Sequence, residues 1–279
     1  MNSKIAVALT IGGSDPGGGA GIQADLKTFA ALKVYGFSVL TAVIAQNSAQ
    51  VQRVAPVDAG LITAQIETLV AERRPDAIKT GALASASAVV AIAAAIVALD
   101  LPAPVVDPVL VSSSGVRLLA TDAERALCER LLPLARLVTP NIPEAAALSG
   151  IAIDSPRAMR AAARAIRRMG ARAVVVKGGH PLHGSAGAAP SRSPDDFPAR
   201  AVDLFFDGRG FVEFTGPWIA GGGAHGTGCA FSAAVAAYLA RGDDLATAVR
   251  RAKAFVARAL RNSFTLGAGR PLLDHFARK

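Results

Sequence analysis

Lys4–Lys33, KIAVALTIGGSDPGGGAGIQADLKTFAALK, decides the fold class. Lys4–Ile11 is an apolar run of strand length, and Ile22–Lys33 repeats its apolar residues at helical spacing. A glycine-rich turn joins them. Strand, turn and helix make the first half of a β-α-β unit, and the same alternation continues along the chain. Strands are expected at Phe37–Ala45, Asp76–Lys79, Pro104–Val106, Leu137–Thr139 and Ala173–Lys177. Helices are expected at Leu61–Arg73, Ser85–Leu99, Asp122–Leu132, Pro143–Leu148 and Pro156–Met169. Towards the end, Val202–Phe206 and Phe211–Phe214 flank an Asp207-Gly208 turn signal and read as a hairpin. Two Ala-rich helices, Gly228–Arg241 and Leu245–Phe264, follow. The fold class is α/β, with a mainly parallel sheet covered on both faces and ligands expected at the carboxyl ends of its strands.

Composition narrows the partners. Of 279 residues, 52% are hydrophobic and 18% charged, enough for a large buried core. The net charge is +9, but the basic residues are spread over helical segments, and aromatic residues make up only 5% of the chain. No stacking platform accompanies the charge, so nucleic acid is not the expected partner. A basic surface that favours small anions is the better reading. Gly81–Leu99 carries no charge, yet it is mostly Ala and Ser and reads as a buried helix rather than a membrane span. Cys128 and Cys229 form no disulfide framework, and the first strand begins with no secretory signal ahead of it. Both features point to the cytoplasm.

The unusual residues fall just after strands. Gly226-Thr227-Gly228-Cys229 opens an Ala-rich helix, so backbone N–H groups and the positive helix end converge on one point. That is a pocket for negative charge, suited to a phosphate in transfer. Cys229 stands at the helix start, where a thiol is acidified. It also fits as a small buried residue beside a tight turn. Gly19-Ala20-Gly21-Ile22-Gln23-Ala24 matches a dinucleotide fingerprint, but no acidic residue lies between Asp25 and Asp58 to hold a ribose. A Walker A loop is excluded, because the chain has no Gly-Lys dipeptide. Asp25 and Gln46 remain candidates for a polar heterocycle, since the amide both donates and accepts. Each equally fits a loop hydrogen bond. Asp107 and the Asn141-x-x-Glu144 pair end strands; the carboxylates suit Mg²⁺ held through water, and the alternative is helix capping and a turn. Lys177 closes a strand within reach of phosphate. His180-x-x-His183 is too sparse for zinc. Gly184–Arg200 reads as a surface loop, either a lid or a passive insertion.

Together these residues resemble the hydroxymethylpyrimidine/phosphomethylpyrimidine kinases of thiamine synthesis. The resemblance rests on ALTIGGSDPGGGAGIQADLKTF (Ala8–Phe29), Ala45-Gln46-Asn47 and Asp107-Pro108-Val109. It continues through Thr139–Ala145, Val176–His180 and His225–Cys229, in family order over nearly the whole chain. It implies one ribokinase-like domain, a three-layer α/β/α sandwich, usually dimeric, using ATP and Mg²⁺. By position it implies that Gln46, Asp25, Ala20 and Val109 hold the pyrimidine. Lys177 and Asn141 would meet ATP, and Asp107 and Glu144 the metal. Gly226, Thr227 and Gly228 would form the anion hole, with Cys229 as proton acceptor. Departures are Thr80 and Ala82, where the family more often has Ile and Met, Ser113 in place of an occasional Lys, and the Ala220–Gly223 run. A pyridoxal kinase on the same scaffold and a non-catalytic ligand sensor are the rival readings.

Overall fold

A computed structural model describes residues 5–112, 115–178, 200–219 and 223–277. The opening unit forms β1 (Val7–Gly13), α1 (Gly21–Ala31) and β2 (Tyr35–Gln46), with β2 parallel to β1. Then come β3 (Val51–Pro56), α2 (Ala59–Glu72), β4 (Ala77–Thr80), α3 (Ala86–Ala98) and β5 (Val105–Val106). After them run α4 (Thr121–Ala126), β6 (Leu137–Val138), α5 (Ile142–Ser149), α6 (Pro156–Arg168) and β7 (Val174–Val176). The chain continues through β8 (Arg200–Phe206), β9 (Phe211–Pro217), α7 (Thr227–Ala240) and α8 (Leu245–Arg261).

The nine strands form one sheet in the order β3-β2-β1-β4-β5-β6-β7-β8-β9. From β2 to β7 every pairing is parallel, while β3, β8 and β9 add antiparallel edges. Alternation along the strands feeds two cores. Leu9, Ile11, Val174 and Val176 face the layer of α2 to α6, whereas Ala8 and Val175 face α1, α7 and α8. From β1 the chain first moves out to β2 and later returns to β4 on the other side. The reversal leaves a crevice above the carboxyl ends of β1 and β4.

Local chemistry sets the boundaries. Asp58, Ser85, Ser155 and Asp244 cap α2, α3, α6 and α8 with side-chain acceptors. The hairpin turn forms as its sequence predicts, Asp207 Oδ1 accepting from the N–H groups of Arg209 and Gly210. Two elements differ from expectation. β3 escaped notice because VQRVAP is mostly exposed and ends in proline, as an edge strand can. The helix expected over 122–132 is α-helical only to Ala126, then makes a π turn over Leu127–Leu131 and a 3-10 turn over Leu132–Leu134. Pro133 sits in that last turn and has no N–H to resume an α ladder. No helix among the described residues is long and apolar enough to cross a membrane. Except for Arg200, which opens β8, the 184–200 loop lies outside the described residues. So do His180, Ser113 and residues 220–222.

Candidate active site

A cavity of about 340 Å³ opens where the parallel strands end, at the reversal between β1 and β4. Gln46, Asp25, Ala20, Val109, Lys177, Asn141, Asp107, Glu144 and Gly226–Cys229 all border it. Residues far apart in sequence meet there because Gln46, Asp107, Asn141 and Lys177 stand at the carboxyl ends of parallel strands, and the starts of α1 and α7 approach the same end of the sheet.

At the β1–β2 end the glycine loop is organised by Asp15. Its carboxylate accepts from the N–H groups of Gly17, Gly19 and Ala20 and meets His225 Nε2 at 2.9 Å. Burial opposes ionisation, but the His225 hydrogen bond and the backbone donors hold Asp15 below the usual carboxylate range. Asp15 is therefore spent on the loop. Gln46 donates from Nε2 to the Ser14 carbonyl at 3.1 Å, which fixes the amide at the cavity wall. Asp25 is fully buried and its Oδ2 takes bonds from Lys79 Nζ (2.8 Å) and Thr10 Oγ1 (2.6 Å). Its Oδ1 is buried and has no partner among the described residues. Burial alone would lower the Lys79 ammonium; the Asp25 charge reverses this and holds it above the usual lysine range. Sequence reading passed over Lys79 as a site residue. The available signal was a lysine inside Ala77-Ile78-Lys79-Thr80, a strand buried at every position.

The β5–β7 end is a carboxylate and lysine cluster. Asp107 Oδ1 accepts from Lys177 Nζ (3.0 Å) and Thr139 Oγ1 (3.2 Å), and Oδ2 from Ser232 Oγ (3.2 Å). Burial works against its charge, but Lys177 and Lys79 outweigh it and lower the carboxyl. Asn141 and Glu144 form a reciprocal capping box at the start of α5, each side chain bonded to the other's backbone at 2.8 Å. The capping alternative for Asn141 is thus realised in the same residues that face the cavity. Burial pushes the Glu144 carboxyl up to about 7, Lys177 pulling against it and Asp107 adding to it.

Between these ends stands the N-terminus of α7. The helix is buried at every position from Ala230 to Leu239, so it runs through the interior beneath the sheet. Gly226 has φ +84°, and a Cβ there would overlap the Gly19 carbonyl oxygen, which restricts the position to glycine. No side chain caps α7, so its first N–H groups remain available to a ligand. At Gly228 a Cβ would lie 3.1 Å from Lys177 Nζ and 3.7 Å from Asp107 Oδ2. The open face of this turn therefore looks onto the lysine and carboxylate pair.

Cys229 departs from expectation. Burial pushes its thiol up to about 11; the Lys79 charge pulls down, while Asp25 and Asp107 push further up. Desolvation and two carboxylates outweigh Lys79 and the Gly21 N–H, so the thiol is not acidified. The other cysteine, Cys128, packs against the α2–α6 core as expected.

Lys177 and Thr227 also border a second, smaller cavity of about 130 Å³. Trp218, Phe231, Val256 and Leu260 give it apolar walls, and Lys253 pairs with Asp203 at 2.7 Å along its edge. Sequence reading did not find this cavity. Apart from Lys177 and Thr227, its residues come from β8, from β9 and the residues just after it, from α7 and from α8, and none of these carries a motif.

A doubly wound sheet with an uncapped helix N-terminus, a lysine and two carboxylates around one cavity defines a phosphotransferase. Residues 15–274 match the family model described as phosphomethylpyrimidine kinase. The chain belongs to that family, and it is a kinase. It is 45% identical over 267 residues to the thiamine biosynthesis bifunctional protein ThiED of Geobacter sulfurreducens, covering 96% of this chain but 51% of that protein. The chain thus spans about half the length of that relative. It is 41% identical over 276 residues to the hydroxymethylpyrimidine/phosphomethylpyrimidine kinase of Bacillus subtilis, covering 99% of this chain and 97% of that one. The fold is ribokinase-like. Pyridoxal kinase from Staphylococcus aureus, solved with AMP-PCP and pyridoxal, superposes with a TM-score of 0.86 at 36% identity, over 99% of this chain and 95% of that one.

Proposed function

We propose that the chain transfers phosphate from ATP to the hydroxymethyl group of 4-amino-5-hydroxymethyl-2-methylpyrimidine, and then to the phosphate of the resulting monophosphate. The observation that carries this is the α7 N-terminus, whose Gly228 faces Lys177 and Asp107 in the same cavity as Gln46. Family membership supports the substrate pair.

In this reading Gln46, Ala20 and Val109 hold the pyrimidine, and the unpaired Asp25 Oδ1 accepts one of its donors. Lys177 and Asn141 meet the nucleotide phosphates, and the smaller apolar cavity beyond Lys177 takes the nucleoside. In the first step the acceptor oxygen bonds to the γ-phosphorus as the bond to ADP breaks, and the hydroxyl proton passes to water or to Cys229. In the second, an oxygen of the monophosphate attacks in the same way. Thr227, Gly228 and Cys229 N–H groups stabilise the charge on the transferring group, and Lys177 neutralises it.

Asp107 and Glu144 suit Mg²⁺. Two carboxylates on one cavity, one of them raised to about 7 by burial, match an ion that binds few protein groups and keeps its waters. Asp107 already accepts three bonds, so contact through water fits it better. When bound, the ion would neutralise charge on the ATP phosphates. Cys229 stays a candidate proton acceptor, with a minor contribution because its thiol is pushed up to about 11.

The decisive assay follows ADP release by purified protein with MgATP and the pyrimidine alcohol, its monophosphate or pyridoxal. We expect turnover with both pyrimidines, faster than with pyridoxal. Turnover of pyridoxal alone would favour the second reading, which the pyridoxal kinase neighbour supports. No ADP above background with either pyrimidine would refute the main one. We also propose one kinase domain acting as a cytoplasmic homodimer that binds neither nucleic acid nor membrane. Tyr35 and Val43 are exposed on β2, beside the β3 edge, and suit a self-interface. Sedimentation at twice the 28.4 kDa chain mass is the expected result, and a monomer would overturn it.

A further inference from the structure

Lys79 and Lys177 each pair with a carboxylate, Asp25 and Asp107. A third cation, Arg270, also borders the large cavity. Among the described residues no carboxylate pairs with its guanidinium, and the residue is exposed to solvent. Its backbone is pinned on two sides. Arg270 N–H donates to the Ser48 carbonyl (3.3 Å) in the β2–β3 turn, and the next residue, Pro271, accepts from His225 N–H (2.9 Å). Arg270 Nη1 lies 3.5 Å from where a Cβ of Gly223 would stand, on the segment leading into the α7 turn. The guanidinium therefore sits between the turn after Gln46 and the approach to the anion hole. β2 and β7 are five strand spacings apart, about 24 Å. Arg270 is thus anchored at the acceptor end of the cavity, not beside Lys177.

We propose that Arg270 recognises the phosphate of the phosphomonoester acceptor and so favours the second transfer. This rests on the kinase reading above. The alcohol is neutral at this position and gains nothing from a guanidinium. The monoester brings a dianion towards the γ-phosphate, and an unspent cation is what that approach requires. A planar guanidinium can grip two phosphate oxygens at once.

The test measures KM for the alcohol, the monophosphate and ATP with the full chain, in the parent, Arg270→Gln and Arg270→Lys. In Arg270→Gln the KM for monophosphate should rise about tenfold or more relative to the KM for the alcohol, the loss of one charged contact. Arg270→Lys should recover part of it, and the parent's salt dependence of KM for monophosphate should flatten in the Gln variant. Equal changes for both acceptors, a dominant change in KM for ATP, or no change would each overturn the assignment. A parent that turns over neither acceptor would instead refute the pyrimidine-substrate reading on which this rests.

Discussion

Gly228→Asp lowers kcat by about 10³-fold or more while the protein stays folded, the scale expected when anion-hole stabilisation is lost and a like charge is added. A Cβ at this position meets Lys177 Nζ at 3.1 Å, the movable end of a side chain rather than backbone. The new carboxylate has room and captures Lys177. An acidic residue in the first turn of a helix also suits the dipole, so α7 itself is not harmed. The damage is electrostatic: a negative charge stands where the transferring phosphoryl group builds its own. Cys229→Ala is the contrast. Its half-buried thiol, pushed up to about 11, is almost wholly protonated at neutral pH and is a poor base there. General bases contribute roughly 10²–10⁴-fold where they operate well, so the alanine variant retains measurable activity. Slow alkylation of Cys229 by iodoacetamide at neutral pH would agree. Equal losses of kcat in the two variants would sink the ranking and return the thiol to the centre of the chemistry.

That contrast also shows where sequence stops informing. The β-α order, the hairpin turn and the residues closing each parallel strand were legible, because periodicity and turn chemistry are local. Gly226–Cys229, Asp107, Glu144 and Lys177 stood out since polar or glycine residues there interrupt apolar strands. Properties that depend on distant neighbours were not legible. The direction of the Cys229 shift depends on Asp25 and Asp107, 204 and 122 positions away, and on desolvation by the surrounding fold. Arg270 carried no motif and joins the cavity through a bond to Ser48. β3 lacked apolar alternation because an edge strand buries little. The support that Asp15 gives its own loop was not legible either, since only the folded turn brings Gly17, Gly19 and Ala20 onto one carboxylate.

Lys79→Met destabilises the protein by about 3–5 kcal/mol, the usual consequence of stranding one partner of a buried ion pair. Lys79 and Asp25 are 1% and 0% exposed, and their 2.8 Å contact is the only ionic compensation either has at that distance among the described residues. Thr10 alone would remain on Asp25, with Oδ1 already lacking a partner. For a chain of this size the melting temperature should fall on the order of 10 °C. Asp25→Leu/Lys79→Met removes both charges and should regain much of that loss, because an apolar pair of similar volume pays no desolvation. The double variant is nevertheless expected to be inactive, as the cavity loses the carboxylate proposed to hold the acceptor. The acceptor should then raise the melting temperature of the parent and not of the double variant. A Lys79→Met protein that melts with the parent, or a double variant no more stable than the single, would show that the pair is not what holds β4 against α1. Recovery of stability without recovery of turnover would separate the structural duty of Asp25, the bond to Lys79, from the acceptor-binding duty proposed for it.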